Sequence, residues 1–188
     1  MSKILYINAS VRPKSRTNTL AKYAISKLNG ELEEVNLEKE NIQPLTNQML
    51  EARTEYLNRG DFSLPILEYA KQFASADIVV ISAPYWDLSF PSSLKVYFEA
   101  INALGITFRY TPDGKPESLC RAKRLIYVTT AGGKIFEPNM GLEYVKGLSQ
   151  IFYNIPEVTY IKAEMLDIIG ADVDEILSEA KKKIDLIV

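Results

Sequence analysis

Residues 78–83, IVVISA, form an almost entirely apolar run. Such a run is typical of a strand that is buried on both faces of a sheet, because neither face then tolerates polar side chains. Comparable apolar segments, separated by stretches with helical spacing, lie on both sides of it along the chain. We predict strands over residues 3–8, 33–37, 78–83, 125–130 and 158–162. We predict helices over residues 17–28, 45–59, 64–74, 92–104, 140–152 and 172–187.

Alternating strands and helices favour an α/β fold with a five-stranded parallel sheet and helices on both faces. The length of 188 residues fits a single domain spanning residues 1–188. Ligands of such sheets bind beyond the carboxyl ends of the strands, near the point where the strand order reverses. The loops expected to carry function are therefore residues 8–17, 84–91 and 131–139.

Composition excludes several kinds of site. The chain has 22 basic and 24 acidic residues and a net charge of −2, so a broad nucleic-acid-binding face is not expected. Histidine is absent, which excludes Ser-His-Asp nucleophiles and His-containing zinc sites, and one cysteine cannot form a thiolate cluster. No metal site is predicted, and the chemistry of an enzyme of this composition is expected to come from a bound cofactor.

The location of the protein is predicted from the same features. No apolar run approaches the ~18 residues of a membrane span, and the first residues lack a signal-peptide layout. Cys120 has no partner for an internal disulfide. We therefore expect a cytoplasmic protein that does not enter a membrane.

The first loop connects a strand to a helix and is rich in hydroxyl and basic side chains, including Ser10, Ser15, Arg16 and Thr17. A helix N-terminus offers unpaired N–H groups and a partial positive charge, which suit a phosphate monoester. Neither the GxxxxGK[ST] nor the GxGxxG motif is present. The alternative is an ordinary N-capped turn with solvated basic side chains, because helix N-caps favour the same residues.

The second loop follows the apolar run at residues 78–83 and is aromatic where a polar loop is expected. Tyr85, Trp86, Leu88 and Phe90 lie within residues 83–98, APYWDLSFPSSLKVYF. We interpret this stretch as a wall for a flat ring; the alternatives are core packing and a dimer face. In the third loop, Gly132-Gly133 allows close approach of the backbone to a ligand, although such a pair is also common in simple turns.

Residues 105–116, GITFRYTPDGKP, predict a small hairpin with Asp113-Gly114 at its turn. Arg109 and Tyr110 are candidates to project over a neighbouring pocket. On composition alone, a surface hairpin with an incidental charge is the simpler interpretation.

Together these segments resemble the FMN-dependent NADH azoreductases, also described as NADH:quinone oxidoreductases, which have a flavodoxin-like fold. The most specific matches are residues 105–111, GITFRYT, followed by Gly114 and Gly132-Gly133, and the start MSKIL leading to Ser10. The resemblance extends over nearly the whole chain. It implies FMN as cofactor, NADH or NADPH as co-substrate, quinones and azo compounds as acceptors, a ping-pong mechanism and a homodimer.

The resemblance also implies which residues hold the cofactor. Residues matching the phosphate and ring segments of the family are Ser10, Ser15, Arg16, Thr17, Tyr85, Trp86, Asp87, Leu88, Thr130, Ala131, Gly132 and Gly133. Arg109 and Tyr110 are assigned to the substrate side. Asp87 stands where the family usually has asparagine, Ala131 where arginine or a similar residue is common, and the first loop is more basic than is typical.

Three other functions remain as alternatives. An NAD(P)H-dependent FMN reductase would use the same cofactor site, and a flavodoxin-type electron carrier would lack a nicotinamide site. Such carriers are commonly strongly acidic, which this chain is not. A phospho-acceptor signalling domain would need an acidic pair for magnesium after the first strand, where residues 7–10 are Ile-Asn-Ala-Ser.

Overall fold

The five main strands form one parallel sheet, as predicted. The computed structural model describes residues 1–188. The strands lie in the order β2-β1-β3-β6-β7, and β4 and β5 form a separate antiparallel ribbon. The strand bounds are Lys3–Asn8 (β1), Glu31–Asn36 (β2), Ile78–Ser82 (β3), Phe108–Tyr110 (β4), Pro116–Ser118 (β5), Arg124–Thr130 (β6) and Glu157–Ala163 (β7).

Seven α-helices connect and cover the strands. Their bounds are Arg16–Ile25 (α1), Leu37–Glu40 (α2), Asn47–Asn58 (α3), Leu67–Ser75 (α4), Ser92–Ile101 (α5), Met140–Leu148 (α6) and Val173–Ile187 (α7). None of them combines the length and the apolar character needed to cross a membrane. The order of the strands and the helices on both faces of the sheet are those of a flavodoxin-like fold.

The core lies in two layers, one on each face of the sheet. Alternate residues of β3 divide between them: Val79 and Ile81 pack with the α4 and α5 side, whereas Val80 packs with the α1 and α7 side. A central parallel strand therefore needs apolar residues at every position, because successive side chains point to opposite covered faces.

The edge strand β2 is less buried than the central strands. Of its six residues only Val35 is fully buried. The reason is its position, since β2 pairs on one side only and polar side chains remain in contact with water there.

Several helices also differ from the periodicity. Helix α1 ends at Ile25 rather than at residue 28, α4 begins at Leu67 rather than at residue 64, and α5 ends at Ile101 rather than at residue 104. The short helix α2, which Asn36 caps, was not predicted. The predicted helix 140–152 changes at Leu148 into a π-helical turn, Ser149–Tyr153. This wider turn allows two consecutive rings to pack inward, with Phe152 against Phe108 and Tyr153 against Phe73.

Candidate functional site

A cavity of about 340 Å³ opens at the carboxyl edge of the sheet. In the parallel register, Asn8 at the end of β1 pairs with Ser82 at the end of β3, so the loops that follow these strands meet at this edge. The strand order reverses between β1 and β3, which is where ligands of such sheets bind. The cavity is lined by Ser10, Val11, Arg12, Lys14, Ser15, Arg16, Thr17, Pro84, Tyr85, Trp86, Thr130, Ala131, Gly132, Leu166 and Asp167.

The N-terminus of α1 forms one side of the cavity. Ser15 is the N-cap, and its hydroxyl accepts a hydrogen bond from the backbone N–H of Asn18 at 3.1 Å. The N–H groups of Arg16 and Thr17 have no acceptor within the chain. Because they belong to the first turn of a helix, they are free donors in a region of partial positive charge.

Two hydroxyl groups join this helix end to β6. The side-chain oxygens of Thr17 and Thr130 lie 2.6 Å apart, and both residues are buried. One hydroxyl donates to the other, so the accepting hydroxyl retains its own proton for a further acceptor. The pair fixes the distance between two walls of the cavity and leaves one donor available.

Three cations and one carboxylate line the cavity. Arg12 and Lys14 are exposed and form no ion pair, whereas the guanidinium group of Arg16 pairs with Asp167 at 2.6 Å and also donates to the backbone oxygen of Leu166 at 3.2 Å. The local charge is therefore positive, although the net charge of the whole chain is −2. An anionic ligand is favoured here over a cationic one.

The segment 165–167 begins two residues after the end of β7, and its Leu166 and Asp167 complete this side of the cavity. Its N–H groups donate to the oxygens of residues 131–133, namely Met165 to Gly133, Leu166 to Ala131 and Asp167 to Gly132. A Cβ atom at position 132 would collide with the carboxylate of Asp167. A side chain at position 132 would therefore displace the Asp167 carboxylate from its present place.

The segment 84–88 forms the aromatic wall. Tyr85 is held by a hydrogen bond from its N–H to the oxygen of Thr130 at 2.9 Å. Trp86 and Ser89 bond to each other's backbone, and between them Asp87 and Leu88 both have positive φ, 49° and 66°. This is a tight two-residue turn, which keeps the partly exposed Trp86 ring at the mouth of the cavity.

Comparison with known proteins identifies the family. A family model described as a flavodoxin-like fold matches residues 2–187. The FMN-dependent NADH:quinone oxidoreductase 2 of Clostridium acetobutylicum is 36% identical, over 97% of this chain and 96% of the relative. The FMN-dependent NADH:quinone oxidoreductase of Lachnoclostridium phytofermentans is 37% identical, over 100% of this chain and 98% of the relative.

The chain belongs to the FMN-dependent NADH:quinone oxidoreductase family.

Solved structures share the fold. The azoreductase from Bacillus anthracis str. Sterne has a TM-score of 0.82 at 23% identity, with 100% of this chain and 98% of that chain covered. An FMN-dependent NADH-azoreductase from Bacillus anthracis str. Ames Ancestor, solved in complex with FMN, has a TM-score of 0.80 at 23% identity, with 99% and 97% covered. The family resemblance and the fold predicted from the sequence are thereby confirmed.

Nine of the residues that the family resemblance assigns to the cofactor line the cavity of this family member. They are Ser10, Ser15, Arg16, Thr17, Tyr85, Trp86, Thr130, Ala131 and Gly132. Asp87, Leu88 and Gly133 are not among the lining residues: the first two form the tip of the tight turn, and Gly133 accepts a hydrogen bond from Met165. A role of these three in cofactor binding stays a prediction.

The ribbon forms at the predicted place, but its two candidate residues do not line the cavity. Arg109 and Tyr110 are exposed. The Arg109 Nε atom donates to the carboxylate of Glu117 on the opposite strand at 2.7 Å, and this contact raises the pKa of the arginine. Their assignment to the substrate side of a family member also stays a prediction.

Sequence reasoning did not include six lining residues among its candidates: Val11, Arg12, Lys14, Pro84, Leu166 and Asp167. The basic character of residues 12–16 was a usable signal for Arg12 and Lys14. No local pattern marks Leu166 or Asp167, because they reach the cavity only through pairing with a loop about 30 residues earlier in the chain.

Proposed function

We propose that the protein is an FMN-dependent oxidoreductase that takes hydride from NADH or NADPH and passes the electrons to quinones and azo compounds. The observation that carries the proposal is the combination, in one cavity at the strand switch point, of free helix N–H donors and an aromatic wall. The first suits a phosphate monoester, and the second suits a flat ring. The relatives named as FMN-dependent NADH:quinone oxidoreductases support the same assignment.

The donors of the first loop fit the FMN phosphate. The free N–H groups of Arg16 and Thr17, the hydroxyl of Ser10 and one hydroxyl of the Thr17–Thr130 pair are hydrogen-bond donors without a better acceptor in the chain. Arg12 and Lys14 add unpaired positive charge at the same side of the cavity. A dianionic phosphate satisfies these donors and is attracted by the charge.

The opposite side of the cavity fits the flavin ring. Tyr85 and Trp86 offer apolar surface for the ring, and the backbone at Ala131 and Gly132 approaches the cavity without a bulky side chain. Bound FMN would supply the hydride and electron transfer, which no side chain of this chain provides. The role of these residues is to hold the ring in place and to limit the access of water to it.

We further propose ping-pong kinetics. Residues 10–17, 84–86 and 130–132 line the cavity, and we expect a ring held against them to leave one face open. A nicotinamide and a quinone each need to stack on that face at a distance of roughly 3–3.5 Å from the reacting atom, and the two cannot do so together. The oxidised nicotinamide must therefore leave before the acceptor enters.

Two measurements test the proposal. The purified protein is expected to be yellow, with a flavin absorbance spectrum and FMN as the mass of the released cofactor. Initial rates over a grid of NADH and benzoquinone concentrations should give parallel reciprocal lines. Colourless protein that binds no added FMN contradicts the assignment, FMN binding without NADH oxidation favours the electron carrier, and intersecting lines contradict the shared face.

We also propose a homodimer with one domain per chain, located in the cytoplasm. Apolar side chains are exposed in two neighbouring segments, at Trp86 and Leu88 and at Phe136 and Met140, and burial against a second copy would remove them from water. The unpaired thiol of Cys120 is consistent with a reducing compartment. Light scattering is expected to give about twice the chain mass of 21.2 kDa; a stable monomer with bound FMN and full activity contradicts the dimer.

A further inference from the structure

A buried network of polar side chains lies beneath the first loop, in the mainly apolar layer between the sheet and α1. Tyr6, in the middle of β1, and Ser82, at the end of β3, are both completely buried. The hydroxyl of Tyr6 lies 2.9 Å from the hydroxyl of Ser82 and donates to the side-chain oxygen of Asn18 at 2.8 Å. Asn18 belongs to the first turn of α1. These hydrogen bonds therefore connect two central strands to the helix end that lines the cavity.

The other end of this polar network reaches Ser10, which lines the cavity directly. Because Tyr6 gives its proton to Asn18, the Ser82 hydroxyl is the donor to Tyr6, and it shares its one proton between the Tyr6 oxygen at 2.9 Å and the side-chain oxygen of Asn8 at 3.2 Å. The Asn8 oxygen also accepts from the N–H of Ser10 at 3.0 Å. The hydroxyl of Ser10 is 3.5 Å from that of Ser82, at the limit of a hydrogen bond. The polar network therefore holds the backbone of Ser10 in place and leaves the Ser10 hydroxyl available to a ligand.

The directions of the hydrogen bonds support a fixed arrangement. Burial raises the pKa of Tyr6 far above its ordinary value, so the phenol keeps its proton and donates it to Asn18. The backbone N–H of Asn18 in turn donates to the Ser15 hydroxyl that caps the helix. Buried and satisfied networks of this kind favour one geometry, because every alternative leaves a buried polar group unpaired.

A second bond of the same chemistry lies far from the cavity. Tyr153 is also fully buried, and its hydroxyl donates to the side-chain oxygen of Asn102 at 2.7 Å. Neither Tyr153 nor Asn102 lines the cavity. The chain thus contains two matched tyrosine–asparagine bonds, one beneath the first loop and one elsewhere.

We propose that Tyr6, acting through Asn18 and through Ser82 and Asn8, is a positioning residue that holds the first loop in its phosphate-binding geometry. This inference rests on the proposed function, since it assigns the phosphate of FMN to that loop. Tyr6 touches no ligand itself. Its contribution is to fix the helix end and Ser10 before the ligand arrives, which lowers the ordering cost of binding.

The experiment compares Tyr6→Phe with Tyr153→Phe, since each removes one buried hydroxyl that donates to an asparagine. For wild type and both variants, the dissociation constants of FMN and of riboflavin are measured by flavin fluorescence titration of the apoprotein, and thermal midpoints are recorded without flavin. Both variants are expected to lose thermal stability to a similar extent. Tyr6→Phe should reduce the preference for FMN over riboflavin by about 5- to 10-fold, and Tyr153→Phe by less than twofold, because only the former loosens the phosphate site.

The outcomes separate the two proposals. A wild-type protein that binds FMN no better than riboflavin contradicts the proposed phosphate site itself. A clear wild-type preference that Tyr6→Phe and Tyr153→Phe retain equally overturns the positioning role while the proposed function stands. If Tyr6→Phe does not fold, Asn18→Ala removes the acceptor from the partly exposed helix side, and the same loss of FMN preference is expected; an unchanged preference in that variant overturns the inference.

Discussion

The first loop, residues 10–17, and the ribbon, residues 108–118, both contain hydroxyl and basic side chains, but the structure uses them differently. In the ribbon, Arg109 pairs with Glu117 and Thr111 donates to Asp113, so these groups satisfy one another on the surface. In the first loop, buried contacts to distant strands fix the backbone, and several donors remain without an acceptor. The comparison indicates that free donors on a fixed backbone, rather than polar residue types, distinguish a ligand site from a polar turn.

The largest effect is expected when hydroxyls are removed from the first loop. The double variant Ser15→Ala, Thr17→Ala should weaken FMN binding by about 5- to 150-fold, at roughly 0.5–1.5 kcal/mol for each hydrogen bond or cap lost. Riboflavin binding should change much less, because it lacks the phosphate. Titration with both flavins measures the difference.

The matched control is Thr111→Ala, which removes three hydroxyl contacts from the turn of the ribbon. It is expected to leave FMN affinity unchanged. An equal loss of FMN affinity in the double variant and in Thr111→Ala would mean that the hydroxyls of the first loop have no special role in binding the phosphate.

A smaller effect is expected from the ribbon on the substrate side. Arg109→Ala should raise the KM for NADH by roughly two- to fivefold, since the charge is exposed and screened by salt, and should leave the affinity for FMN unchanged. Steady-state kinetics at low and high salt check both statements. If KM is unaffected at low salt, Arg109 serves only its own ion pair with Glu117.

The carboxylate of Asp167 offers a test with the opposite sign. It holds Arg16 and lies beside the predicted anion site, so Asp167→Asn should strengthen FMN binding by roughly two- to fourfold, most clearly at low salt. Asp185→Asn is the control, because Asp185 pairs with Lys27 at the same distance of 2.6 Å, and neither residue lines the cavity. Weaker FMN binding in Asp167→Asn would show that the carboxylate acts mainly by orienting Arg16.

The smallest effect is expected at the tight turn. A carboxylate near the ring disfavours the addition of negative charge, so Asp87→Asn should raise the reduction potential of bound FMN. The shift should be on the order of 10 mV, since an exposed charge several Å away acts through a high dielectric. Spectroelectrochemical titration of the wild type and of Asp87→Asn measures the shift. Identical potentials would indicate that the carboxylate faces solvent and does not influence the ring.

Local pattern was sufficient for the fold and for the strand-end loops. The apolar run at residues 78–83 and the hydroxyl-rich start of α1 depend on neighbours along the chain, and both the central strand and the helix start form within one residue of the prediction. The limits of α1 and of the helix before Tyr153 were less predictable, because tertiary packing rather than helix propensity ends them.

What the sequence by itself determined is the α/β architecture, the edge of the sheet at which the cavity opens and the basic, hydroxyl-rich character of the first loop. Only the tertiary structure brought Asp167 into contact with Gly132 and Arg16. The hydrogen bonds of Tyr6 with Ser82 and Asn18 likewise depend on the tertiary structure. The physical reason is that periodicity and capping act between residues a few positions apart. The Arg16–Asp167 and Tyr6–Ser82 contacts span 151 and 76 positions, and the packed sheet creates them by bringing the ends of separate strands to one edge.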